Sequence, residues 1–156
     1  VLITDVNVQN LGFAQITTAD FESLDVRLND QGNQVTVWKL ARPVTVTSGL
    51  GNDTFQIASM TAGAEWPLVI QAGAGADVLN LGDAAAGHDT IAAIIRFYGG
   101  AGDDRVNVYD LDDGGRLEAN GEAGSDAFYL DYLAGGGILW FPCPQVNGDW
   151  SHRHGW

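Results

Sequence analysis

The stretch Gly99-Gly100-Ala101-Gly102-Asp103-Asp104-Arg105-Val106-Asn107 decides how this chain is read. Three other stretches superimpose on it without gaps: Ser48-Gly49-Leu50-Gly51-Asn52-Asp53-Thr54-Phe55-Gln56, Ala72-Gly73-Ala74-Gly75-Ala76-Asp77-Val78-Leu79-Asn80 and Gly121-Glu122-Ala123-Gly124-Ser125-Asp126-Ala127-Phe128-Tyr129. Each has Gly at its fourth position, Asp at its sixth and a large apolar residue at its eighth. A further apolar residue follows two places on, at Ile57, Leu81, Val108 and Leu130. Successive sixth-position Asp residues stand 24, 27 and 22 residues apart. A turn kept constant while the length between turns varies marks a solenoid whose coils share one corner and differ on the return side.

The flanks carry the period-two alternation of half-buried strands. Val44 and Val46 precede the first turn, Leu68 and Ile70 the second, Ile95 and Phe97 the third, Leu117 and Ala119 the fourth. A degenerate copy lies upstream, where Leu24, Val26 and Leu28 alternate into Asp30-Gln31-Gly32-Asn33, followed by Val35 and Val37. Gln34 is read there at the Asp position, with the apolar phase shifted by one. Ala86-Gly87-His88-Asp89-Thr90-Ile91 and Asp112-Asp113-Gly114-Gly115 read as second turns on the opposite side of their coils. The expected fold is all-β: a right-handed parallel β-helix of about five coils over residues 1–139, closed by an aromatic C-terminal cap or subunit-contact segment over residues 140–156. The same alternation allows an antiparallel sandwich, which is the rival fold.

Composition agrees with a turn-rich β protein. The 156 residues carry 20 acidic and 7 basic side chains, a formal charge of −13, and 16 of the acids are Asp. Asp and the 21 Gly residues disfavour helix. With 46% hydrophobic residues the chain has the material for a packed core. The charge argues against nucleic-acid or anionic-membrane partners, and no stretch has the length of a membrane span. The single Cys143 cannot form an internal disulfide. The segment opening at Val1 shows no charged-then-apolar signal pattern and is expected to be a processed or excised piece.

The chemistry of the turn points to a cation. Gly at the second and fourth positions allows positive φ and inward-pointing carbonyls, and Asp at the sixth holds a carboxylate close to them. Calcium takes six to eight oxygens, which two adjacent turns can supply together. Four stacked turns would make three sites, between Asp53 and Asp77, Asp77 and Asp104, and Asp104 and Asp126. Asp103 and Glu122 would add carboxylates, and Gly49, Gly51, Gly73, Gly75, Gly100, Gly102 and Gly124 would shape the turns. Without a cation, stacked Asp residues repel. The alternative is a metal-free polar ladder, since Asp and Gly are also the commonest turn residues.

The four segments resemble the glycine-rich calcium-binding nonapeptide of the RTX (repeats-in-toxin) proteins, G-G-x-G-x-D-x-apolar-x, over residues 44–130. Gly99-Gly100-Ala101-Gly102-Asp103-Asp104-Arg105-Val106-Asn107 matches it at every position. Ser48 and Ala72 replace the first Gly, and Glu122 the second. The resemblance implies calcium bound between stacked turns. One motif per coil of more than twenty residues, in place of one every nine, looks more like a one-sided ladder on a broader β-helix.

Other features are weighed against this. Asp110, Asp112 and Asp113 cluster as the acids of a polysaccharide-active β-helix enzyme would, yet they coincide with turns, and the chain is read as non-enzymatic. Exposed Trp66, Trp140 or Trp150 would suit a carbohydrate-binding adhesive module. His152 and His154 with Cys143 match no standard zinc spacing. The apolar start at Val1, Ile3, Val6 and Val8 would complete the first coil or pair with a neighbour. The expected role is an extracellular or cell-surface calcium-binding structural protein that associates end to end with copies of itself in a fibre, layer or adhesin.

Overall fold

The computed structural model describes residues 2–3, 7–11, 14–17, 22–40, 42–60, 66–83, 91–131, 137–140 and 151–154. Three short strands, β1 (Leu2–Ile3), β2 (Asn7–Leu11) and β3 (Ala14–Thr17), open the chain. Strands then come in pairs around a corner: β4 (Leu24–Arg27) with β5 (Gln34–Val37), β6 (Val44–Thr47) with β7 (Thr54–Ile57), and β8 (Leu68–Ala74) with β9 (Val78–Leu81). The series continues with β10 (Ile94–Ala101) and β11 (Arg105–Val108), β12 (Arg116–Ala123) and β13 (Ala127–Leu130), and finally β14 (Ile138–Trp140) and β15 (Ser151–His154).

The first members of the pairs form a six-stranded sheet in the order β14-β12-β10-β8-β6-β4. The second members, with the opening strands, form a nine-stranded sheet ordered β15-β13-β11-β9-β7-β5-β1-β2-β3. Every pairing between successive coils is parallel, so the fold is a β-solenoid and not an antiparallel sandwich. Antiparallel pairing is confined, among the described residues, to β1 with β2 and β2 with β3. About four turns carry the Gly-Asp corner, slightly fewer than the five coils expected, with the β4–β5 pair before them and β14–β15 after. No helix occurs among the described residues, so none is long and apolar enough to cross a membrane.

The alternation read from the sequence sets the core. Val44 and Val46 align with Leu68 and Ile70, these with Ile95 and Phe97, and these with Leu117 and Ala119; all eight are buried. On the other sheet Phe55, Leu79, Val106 and Phe128 stack and are buried as well. Phe55 and Phe97 meet edge to face across the two sheets, with ring centroids 6.4 Å apart. Burying such a side chain contributes about 1.5–3 kcal/mol, so a column of them holds the sheets together coil after coil.

Three expectations about flanking segments are refined. The degenerate coil is in phase: Gln34 aligns with Thr54 and Val35 with Phe55, so Asn33, not Gln34, occupies the sixth position. The coil looks shifted in sequence because its Gly, Gly32, stands one place later than in the other corners. At the start, β1 pairs parallel with β5 and Ile3 is buried in the core, completing the first coil. At the other end, β14 and β15 continue both sheets in register, with Trp140 opposite Glu118 and residues 151–154 opposite residues 127–130. The rest of the expected cap, with Cys143 and Trp150, lies outside the described residues, as do the side chains of His152 and His154 and the segment Ala86-Gly87-His88-Asp89-Thr90.

Candidate functional site

The corner between the sheets brings the four sixth-position carboxylates into one buried stack. Asp53, Asp77, Asp104 and Asp126 are each at most 3% exposed. Each reaches back to the coil before it, where its Oδ1 accepts a backbone N–H. Asn33 N–H donates to Asp53 at 2.6 Å, Asp53 N–H to Asp77 at 2.7 Å, Asp77 N–H to Asp104 at 2.9 Å and Asp104 N–H to Asp126 at 3.0 Å. The main-chain carbonyls of the same residues point the other way, accepting the N–H of Thr54, Val78, Arg105 and Ala127 in the following coil. A short Asp side chain suits this because its carboxylate stays within reach of a backbone one strand spacing away, about 4.8 Å.

A second ladder runs in the opposite direction at the fifth position. Asn52 Oδ1 accepts the N–H of Ala76 and Asp103 Oδ1 that of Ser125, both at 2.9 Å and both forward along the stack. The sequence reading did not find this ladder, although the signal was present in Asn52 and Asp103 at equivalent positions. Asp103 therefore belongs to the outer line of the corner, exposed, apart from buried Asp104. Glu122 is also exposed. Of the expected calcium ligands, the structure thus stacks Asp53, Asp77, Asp104 and Asp126 and places Asp103 and Glu122 outside that stack.

The first position of the motif decides what the second carboxylate oxygen meets. In the first corner the Ser48 hydroxyl donates to Asp53 Oδ2. Ala72 and Gly99 offer no such donor, and Asp77 Oδ2 and Asp104 Oδ2 are buried without a hydrogen-bond partner. A Cβ at Gly99 would collide with Asp104 Oδ2 where that carboxylate now lies, so the carboxylate would have to shift to admit one. Loss of hydration pushes the Asp77 carboxyl above its ordinary range, against the opposing effect of the N–H it accepts, with Asp53 adding like charge. The same causes act more strongly on Asp104, pushed up to about 7, with Asp77, Asp126 and Asp103 as the like charges around it.

Backbone geometry at the second position is equally constrained. Gly73 and Gly100 adopt φ of 105° and 102°, and Glu122, aligned with Gly100, holds φ of 69°. It is the only non-Gly residue with positive φ among the described residues. A Cβ on Gly100 would fall on the carbonyl oxygen of Gly73, so the corner carbonyls pack against the glycines of the next coil. Gly49 and Gly51 do without positive φ and instead leave room for the Asp30 side chain and the Gln31 backbone. No group of three or more His, Cys, Asp or Glu side chains disposed to hold a metal ion occurs among the described residues.

On the return side Asp112 works in the same way as the corner. Its Oδ2 accepts the Ile91 N–H at 3.0 Å, and its carbonyl closes a turn with Gly115 N–H at 2.9 Å. Asp110 is buried and Asp113 exposed, so the three acids read as a cluster in sequence differ in environment.

The chain matches no protein-family profile, no curated protein and no solved structure. The likeness to RTX repeats rests on the quoted residues alone.

Proposed function

We propose that this chain is a non-enzymatic structural module of an extracellular or cell-surface protein, a β-solenoid that takes up calcium along its acidic corner and stacks end to end with further copies. The observation that carries the reading is the continuous stack of Asp53, Asp77, Asp104 and Asp126, whose two middle members each hold a buried oxygen without a partner. Such a stack calls for a positive partner, either a cation or a proton. Calcium fits in ligand type, since the corner presents carboxylate and carbonyl oxygens, with the Ser48 hydroxyl beside Asp53 in the first corner. Oδ1 of each stacked Asp already serves a backbone N–H. Calcium would therefore draw on the Oδ2 atoms of Asp77 and Asp104, supplemented by main-chain carbonyls and water.

End-to-end association is supported by the sheet edges. The six-stranded sheet ends at β4 and at β14, each with one neighbour among the described residues, and both edges have the parallel register of the interior. An edge of this kind is a template for another strand.

Thermal unfolding followed by circular dichroism at pH 8, in millimolar calcium and then in excess chelator, tests the cation. A melting temperature raised by calcium and lowered again by chelator is expected, and Asp104→Asn should abolish the response. An unchanged melting temperature refutes calcium. Sedimentation at rising concentration tests association, and a strictly monomeric result refutes stacking.

A further inference from the structure

Beyond the corner itself, the outer face of the six-stranded sheet carries a groove that the structural reading leaves unused. It is open, about 300 Å³ in volume, and is lined by Gln71, Gly73, Tyr98, Gly100 and Glu122. These residues come from three successive strands in strict register: Gln71 opposite Tyr98, and Gly73 opposite Gly100 opposite Glu122. The two glycines leave a bare main-chain floor. Tyr98, 37% exposed, forms one wall, and on its other side it shares a smaller hollow with Asn120 and Trp140, itself 51% exposed. Gln71 Oε1 takes the Thr47 hydroxyl at 3.1 Å, so the group that Gln71 offers to the groove is its amide N–H.

Glu122 is the unexpected member. At the two preceding levels its position is Gly, and among the described residues Glu122 is the one non-Gly residue with positive φ. A backbone held in that region is strained for a non-Gly residue, and such strain clusters at ligand sites. The other carboxylates on this face among the described residues are engaged: Glu118 by Arg96 at 2.9 Å and Arg116 at 2.7 Å, and Asp25, on the distant β4, by Arg27 at 3.1 Å. Glu122 is left as the carboxylate acceptor of the groove.

We propose that this groove binds a pyranose unit of a neutral saccharide. A sugar ring offers an apolar C–H face to Tyr98 and vicinal hydroxyls that can donate to the Glu122 carboxylate and accept from the Gln71 amide. The strands that carry the glycine floor, β8 and β10, have a paired strand on each side, so a peptide strand finds no backbone to pair with between them. The formal charge of −13 and the Glu122 carboxylate in the groove argue against acidic polysaccharides and nucleic acid. The groove borders the corner through Gly73, Gly100 and Glu122 but takes in none of the stacked carboxylates Asp53, Asp77, Asp104 and Asp126, and saccharide binding and the calcium response are read by separate assays.

Titration calorimetry of the whole chain against neutral gluco-, manno-, galacto- and N-acetylglucosamine oligosaccharides, with polygalacturonate as the acidic control, tests the proposal. Binding to at least one neutral series is expected, weakened tenfold or more by Tyr98→Ala and by Glu122→Gly. Glu122→Gly removes the positive-φ strain and is expected to melt higher than wild type, so its loss of binding cannot be unfolding. Absence of binding to every neutral series, affinity unchanged in both variants, or preference for the acidic control each overturns it.

Discussion

Replacing Asp104 by Asn separates charge from hydrogen bonding at the middle of the stack. Asn keeps an Oδ1 to accept the Asp77 N–H, which Asp104 holds at 2.9 Å, and removes the charge that burial and the neighbouring Asp77, Asp126 and Asp103 oppose. In the folded protein the carboxyl is pushed from 3.8 up to about 7. The folded chain therefore holds this proton more tightly than the unfolded chain. The contribution to stability is complete below about pH 4, falls as pH rises, and is gone above about pH 7. At about 1.4 kcal/mol per pH unit the gap sets a ceiling of about 4 kcal/mol.

Between pH 5 and pH 8 the advantage of Asp104→Asn over wild type should thus grow by up to about 3 kcal/mol. For a chain of this length that corresponds to a melting-temperature difference widening by about 6–12 °C. The assay is urea or thermal unfolding of both proteins in chelator, so that no cation substitutes for the proton. Comparing the two cancels the titration of distant carboxylates. Any penalty from the Asn amide donor beside Gly99 is independent of pH and drops out of the trend. An advantage constant to within about 0.5 kcal/mol over that range would refute the account of a charge-strained stack.

Three further substitutions probe the corner. Glu122→Gly relieves positive φ at a level where Gly73 and Gly100 stand in the neighbouring coils, and is expected to stabilise by about 1 kcal/mol, read as a rise of about 2–4 °C in melting temperature. Gly99→Ala drives a Cβ into Asp104 Oδ2 and should cost about 1–3 kcal/mol, measured by urea unfolding. Asn33→Asp turns a donor into an acceptor: Asn33 Nδ2 donates to Gln31 O, to Asn29 O at 3.1 Å and to Asp53 Oδ1 at 2.9 Å. Its loss should destabilise by about 2–3 kcal/mol at pH 8, and by less as the pH falls and the new carboxyl takes up a proton.

The strands, their phase and the stack of Asp residues were legible because they obey short periods. Alternation of two placed Val44, Val46, Leu68 and Ile70 in the core, and the fixed spacing from Gly to Asp aligned Asp53, Asp77, Asp104 and Asp126. The degenerate coil reads one residue out of place in sequence because its Gly32 is displaced by one position from the Gly of the other corners. The pairing is set instead by Val35 and Val37 seeking the core, and this leaves Asn33 at the corner. The direction in which each carboxylate points was not legible. A motif gives the same residues whether Asp faces a metal between turns or the N–H of the preceding coil. Only the placement of coil against coil distinguishes them. The groove was hidden for a related reason: Gln71, Tyr98 and Glu122 are far apart in sequence and meet only through the register of three strands.

The reach of each corner carboxylate to the coil before it bears on how such a chain grows and shrinks. Every coil supplies one acceptor backward and presents one N–H to the coil that follows. Deleting or duplicating a whole coil removes or adds the two together, and the ladder closes again without an orphan. A point change that removes the side-chain acceptor at the same place strands a buried N–H. Duplication in units of one coil is therefore the tolerated path of length change, and the unequal intervals of 24, 27 and 22 residues show that the return side need not be copied faithfully for the corner to rejoin.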